Sequence, residues 1–201
     1  MNFKKSIIAL LIVTVLSFLT LTLFFYNENM RKDSDKSDLQ GQIAKLEIKE
    51  TNFVLNIEMI GEKVSDILCV AQSGDGKYLS ELMNGKTILI YRYTHSHCAP
   101  CYEEQIYLLQ EIFKDFPQVV GILSSYLNRM DFLLFMRGKT LEVPIYQVSF
   151  NSFDWIMEDY DVPYYFVLHS DMKISHIYIP NKAYPESNKQ YLEGVKRFLL
   201  E

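Results

Sequence analysis

The 201-residue sequence predicts an α/β fold: three layers, with a mixed central sheet covered by helices on both faces, preceded by one N-terminal transmembrane helix. Three observations carry this. Buried-strand runs alternate with helical stripes from residue 61 onward, as in βαβ units. The last two strand runs are joined by a five-residue turn, so the sheet cannot be wholly parallel. And Ser6 to Asn27 contains no charged residue over 22 positions.

That first run, taken as a helix, spans about 33 Å, against a hydrocarbon core of about 30 Å. It ends Leu23-Phe24-Phe25-Tyr26, bulky where a cleaved leader needs small residues, so residues 1–27 read as an uncleaved anchor. Lys4 and Lys5 precede it and Arg31 and Lys32 follow, a slight asymmetry. We place the N-terminus inside and the rest outside. Residues 28–60 read as a polar tether, charged from Asp33 to Asp38, with a short stalk helix from Gln40 to Glu50.

The compact domain is expected over residues 61–201. Ile67–Gln72 and Lys77–Leu79 flank Ser73-Gly74-Asp75-Gly76 and predict a hairpin. Asn84-Gly85 turns into Thr87–Tyr93, rich in β-branched and aromatic residues, a buried strand. Tyr102, Ile106, Leu109, Phe113 and Phe116 fall on one helical face, ended by Pro117. Val119–Leu123 is a strand, Asn128–Gly138 a helix, and Ile145–Val148 a short strand. Ser152 is placed to cap a short helix through Tyr160. Tyr164–Leu168 and Ile174–Ile179 form the closing hairpin, and Pro185–Leu200 the last helix.

A net charge of -5, with no basic block, argues against nucleic acid as a partner. Three cysteines are too few for a disulfide-stapled scaffold. Cys69 lies alone in an apolar run and reads as a small buried hydrophobe. Cys98 and Cys101 form a C-x-x-C pair between a strand and a helix, where unpaired N–H groups and the helix dipole stabilise a thiolate. Cys98 is then the exposed attacker and Cys101 the resolving thiol. Two packed core cysteines are the competing reading.

The order of elements, Cys98-Ala99-Pro100-Cys101, and Val162-Pro163 before a strand resemble the thioredoxin-like superfamily. The likeness is greatest to the membrane-anchored, extracytoplasmic thiol-disulfide oxidoreductases of the TlpA/ResA type. It implies a single-pass protein of the cell (inner) membrane with its catalytic domain outside. Its partners would be protein thiols or disulfides and a membrane or extracytoplasmic electron donor or acceptor. It would need no cofactor beyond the redox-active Cys98–Cys101 disulfide. The resemblance also implies a cis-proline at Pro163, against the pair, and a proton-moving carboxylate at Glu104. Two positions depart from the family. His97 stands where a tryptophan is usual, and Arg92 where thioredoxins bury an acid. A protonated His97 and a cationic Arg92 both favour the thiolate and a more oxidising pair.

Other readings remain open at this level. His95, His97, Cys98 and Cys101 are four copper or zinc ligands in seven residues, the set of a metallochaperone. A peroxidase would want threonine where His95 stands; Thr94 is one position off. A redox-inert binding module would have lost one of the cysteines.

Overall fold

The computed structural model describes residues 2–150 and 152–201; of residues 2–15, Ser34 and Ile156 it describes the backbone course alone. The chain divides into two compact units, Met1–Thr51 and Asn52–Glu201.

A helix, α1 (Asn2–Met59), runs through the first unit and into the second. Of the expected anchor, residues 1–27, Met1 and the side chains of residues 2–15 lie outside the described residues. Among the described residues, no helix is long and apolar enough to cross a membrane. The expected irregular tether is helical. It contains no proline, and side chains one turn apart support each other, Lys32 with Glu28 at 2.9 Å and Gln42 with Asp38 at 2.9 Å.

The second unit opens with the last turns of α1. Asn52, Leu55, Asn56 and Met59 recur at helical spacing and are buried or half-buried. Then follow β1 (Leu68–Val70), β2 (Gly76–Tyr78), α2 (Leu79–Met83) and β3 (Ile88–Thr94). After these come α3 (Ala99–Phe113), β4 (Val120–Ser125), α4 (Arg129–Met136) and β5 (Ile145–Gln147). The chain closes with β6 (Tyr164–Leu168), β7 (Ile174–Tyr178) and α5 (Pro185–Leu200). The sheet order is β2-β1-β5-β4-β3-β6-β7. β4 pairs in parallel with β3 and with β5; the other pairings are antiparallel, so the sheet is mixed.

β3 is an interior strand, between β4 and β6, and is buried along its whole length. Its period of two divides the core. Leu89, Tyr91 and Tyr93 join α3, α4 and α5 on one face, while Ile88 and Ile90 join α1, α2 and β7 residues on the other. On α3, Tyr102, Ile106, Leu109 and Phe113 are buried as their spacing predicts; Phe116 lies beyond the helix and packs beside the same cluster.

Asn56 ties α1 to β7. Its amide donates to the Ile177 carbonyl at 2.6 Å, and its oxygen accepts from the Ile177 amide at 2.8 Å. Asn52 accepts from the Ile179 amide at 2.7 Å. These side chains pair backbone groups that an edge strand otherwise exposes.

Two local expectations differ. Ser152 caps no helix. Its hydroxyl bonds to the Ser149 carbonyl, and a 3-10 turn, Ile156–Tyr160, begins after Trp155. Helix α2 follows the hairpin directly, with Leu79 and Met83 buried. It ends at Asn84 and Gly85, with φ of 50° and 72°, the left-handed conformation that asparagine and glycine tolerate.

Candidate functional site

The site lies at the carboxyl end of β3. β3 pairs with β4 through Thr94 opposite Ser125, and the His95 amide then donates to the Ser125 carbonyl at 2.9 Å. The His97 amide turns back to the Thr94 carbonyl at 3.2 Å, and the chain enters α3. Cys98 is the N-cap of α3 and is exposed; Cys101, half-buried, lies one turn in. The Cys101 and Tyr102 amides donate to the Cys98 carbonyl at 2.9 and 3.2 Å. Pro100 lies in the first turn, where no N–H is needed. Cys98 and Cys101 are joined as a disulfide, their Cα atoms 5.2 Å apart. The competing core-cysteine reading fails on exposure: Cys98 is solvent-facing, whereas Cys69 is buried, its thiol pKa pushed up to about 12 by desolvation, with Asp66 adding to the rise.

His97 is present but uncharged. The Thr94 amide donates to Nδ1 at 3.2 Å, so that nitrogen keeps its lone pair and the proton sits on Nε2, 3.3 Å from Asp161 Oδ1. Burial holds the ring below the ordinary histidine pKa and Arg92 adds to that, while Asp161 and Glu158 oppose it. The protonated imidazole expected beside Cys98 is therefore replaced by a neutral one, because the ring is buried.

Arg92 is one of the most deeply buried side chains of the unit and is not free to act on the cysteines alone. Its Nε and Nη2 each donate at 2.9 Å to the two carboxylate oxygens of Glu158. Nη1 donates to the Tyr93 carbonyl at 2.8 Å. Tyr164 donates to Glu158 Oε1 at 2.6 Å, and the Trp155 indole donates to the Tyr164 hydroxyl at 3.0 Å. This chain ties β3 to the segment just before Pro163. A cavity of about 90 Å³ lies among Arg92, Thr94, His97, Glu158, Asp161 and Tyr164.

Pro163 is half-buried at the start of β6. Among the described residues no peptide bond is cis, so the cis-proline implied by the resemblance is trans, the ordinary lower-energy state of an X-Pro bond. Glu104 is exposed on α3; the buried polar side chain there is its neighbour Gln105, whose oxygen accepts from Tyr165 at 3.1 Å.

The four metal ligands expected from His95 to Cys101 do not converge. Among the described residues, no group of three or more His, Cys, Asp or Glu side chains is placed to hold a metal ion. His97 turns to Asp161, the cysteines bond to each other, and His95 packs edge-on to Phe150 with ring centroids 5.4 Å apart.

Glu158, Asp161 and Tyr164 escaped the sequence reading. They lie far from the C-x-x-C pair in sequence: Glu158 in the 3-10 turn, Asp161 just after it and Tyr164 at the start of β6, where sequence shows an element and not a site. One signal was present: an arginine inside a buried strand requires a carboxylate partner.

No protein-family model and no curated protein matches the sequence. Solved structures do match. A thiol:disulfide interchange protein from Bacteroides sp. superposes with a TM-score of 0.53 at 14% identity, covering 71% of this chain and 91% of that one. The thioredoxin domain of a thiol-disulfide oxidoreductase from Bacteroides vulgatus gives 0.50 at 16% identity, covering 70% of this chain and 97% of that one. The fold is therefore thioredoxin-like, with a C-x-x-C disulfide at the amino end of α3.

Proposed function

We propose that the protein is a thiol-disulfide oxidoreductase working on protein thiols or disulfides. The observation that carries this is the asymmetry of the pair: Cys98 exposed at a helix N-terminus, Cys101 half-buried behind it. In the reducing direction the Cys98 thiolate attacks a substrate disulfide and expels one substrate thiolate. Cys101, deprotonated, then attacks Cys98 Sγ, expels the second substrate thiolate and leaves the Cys98–Cys101 disulfide. Two electrons pass to the substrate, and a dithiol partner at or outside the membrane returns them. The oxidising direction is the reverse. Glu104, one turn after Cys101, exchanges the resolving proton with solvent, and Pro163 borders the substrate's path to Cys98.

The apolar run from Ser6 supports a single-pass anchor with the domain on the extracytoplasmic side, where protein disulfides persist. The test is Cys101→Ser, which should accumulate mixed disulfides on Cys98, visible on non-reducing gels and absent from Cys98→Ser. If no adducts form and the reduced domain does not reduce insulin, the reading is wrong.

A further inference from the structure

We infer that Glu158 is a positioning residue for the thiol-disulfide reaction: by cancelling the charge of Arg92 it keeps the Cys98 thiolate from being stabilised by a buried cation. This rests on the redox reading of the pair proposed above.

The geometry supports it in three ways. Both Arg92–Glu158 hydrogen bonds are 2.9 Å in a fork-on-fork arrangement, so one carboxylate meets one guanidinium with no surplus charge. The pair lines the same cavity as His97, the residue before Cys98. Arg92 and Glu158 also act on His97 with opposite signs, Arg92 disfavouring its proton and Glu158 favouring it. The field at His97, the residue before Cys98, is thus a difference between two opposed charges.

The other ionisable groups on the surrounding elements include His95 and His97 before Cys98, Tyr102, Glu103 and Glu104 on α3, Asp159 on the 3-10 turn, Asp161 beyond it, and Tyr164, whose hydroxyl donates to Glu158. His97 is neutral, as its Nδ1 accepts a backbone N–H. With Arg92 compensated, the positive end of α3, which Cys98 caps, is left to favour the thiolate. The cationic pair that residues 92 and 97 suggest in sequence is cancelled in the fold, and the disulfide is less oxidising than those two residues alone imply.

The test uses the full chain in detergent, with three variants. Two quantities are read: the pH profile of Cys98 alkylation by iodoacetamide in the Cys101→Ser background, and the equilibrium of the intact pair with dithiothreitol. Glu158→Gln uncovers Arg92. The alkylation midpoint should fall by about one pH unit, and the equilibrium should move about tenfold toward the reduced dithiol. Arg92→Met uncovers Glu158 and should move both the opposite way. Arg92→Met/Glu158→Gln removes both charges, so it should fold and return both values to within about threefold of the parent. Should one single variant fail to fold, the other carries the test, its stated shift supporting the inference and any other result overturning it. Should both fail, Glu158→Asp, which loosens the pair, should shift both values in the Glu158→Gln direction, and no shift overturns the inference. A double variant displaced by tenfold or more overturns the inference, as do two single variants that shift in one direction or not at all. Failure of thiol-disulfide exchange itself shows separately, as absence of mixed disulfides in Cys101→Ser with Glu158 intact.

Discussion

Replacing Tyr91 by phenylalanine removes one hydroxyl from the centre of the sheet, and the structure gives the sign of the result. The Tyr91 side chain is fully buried, and its hydroxyl has no hydrogen-bond partner among the described residues. Its ring stacks on Tyr165 at 4.5 Å and leans on Tyr93 at 5.8 Å, contacts that a phenyl ring keeps. Burying an unpaired hydroxyl costs about 1–3 kcal/mol, and removing it recovers part of that. We therefore expect Tyr91→Phe to stabilise the unit by about 1 kcal/mol, or about 2–4 °C in Tm for a domain of this size. Tyr93→Phe is the matched control. Its hydroxyl lies 3.1 Å from that of Tyr126, so its loss should destabilise by about 1 kcal/mol. The assay is urea unfolding followed by fluorescence of Trp155, the single tryptophan, which packs 5.1 Å from Phe166 inside this unit. The reasoning is refuted if Tyr91→Phe lowers the midpoint, or if the two variants shift it equally.

Asn56→Ala removes both bonds to Ile177 and should cost about 1–3 kcal/mol, with faster hydrogen exchange at the Ile177 amide. Leu109→Ala, at a fully buried position of α3, should cost about 2–5 kcal/mol in the same unfolding assay. Thiol titration of the reduced, folded protein should count Cys98 and Cys101 at once, and Cys69 only after unfolding, because its thiol is buried with a pKa pushed up to about 12. Burial lowers the pKa of both His97 and His176, with His169 adding to the effect on His176. The unfolded chain therefore takes up these protons first. Stability should be full above the unfolded value of about 6.5 and decline as pH falls below it. His176, at φ 52°, is the position to probe: asparagine tolerates that conformation and should flatten the acid branch of a stability–pH curve.

Much of the fold was legible because its signals are local. The stripe Tyr102, Ile106, Leu109 and Phe113 marked α3 and its buried face, and the run Thr87–Tyr93 marked the buried strand β3. The helix from Asn128 was equally plain; in the structure the Asn128 side chain caps it, accepting from the Asp131 amide at 3.0 Å. The last turns of α1 were not legible as part of the domain. Asn52 and Asn56 look like solvated polar residues until β7 brings Ile177 and Ile179 beside them. The short helix ending at Tyr160 was legible but its start was not: it is a 3-10 turn that begins after Trp155, whose indole bonds to Tyr164, and not at Ser152.

The cysteine pair followed the same division. Sequence alone determined the chemistry available: a C-x-x-C pair between a buried strand and an amphipathic helix, which fixes Cys98 at a helix N-terminus. Those are properties of neighbouring residues, set by backbone periodicity over a few turns. What only the tertiary structure decided is the electrostatics around the pair. Arg92 and His97 carry the same letters whether charged, paired or neutral. Their state depends on Glu158 and Asp161, more than sixty residues away, and on the burial that brings them together. Charge in a protein interior is a property of the assembled environment, because desolvation and opposing charges act through space and not along the chain.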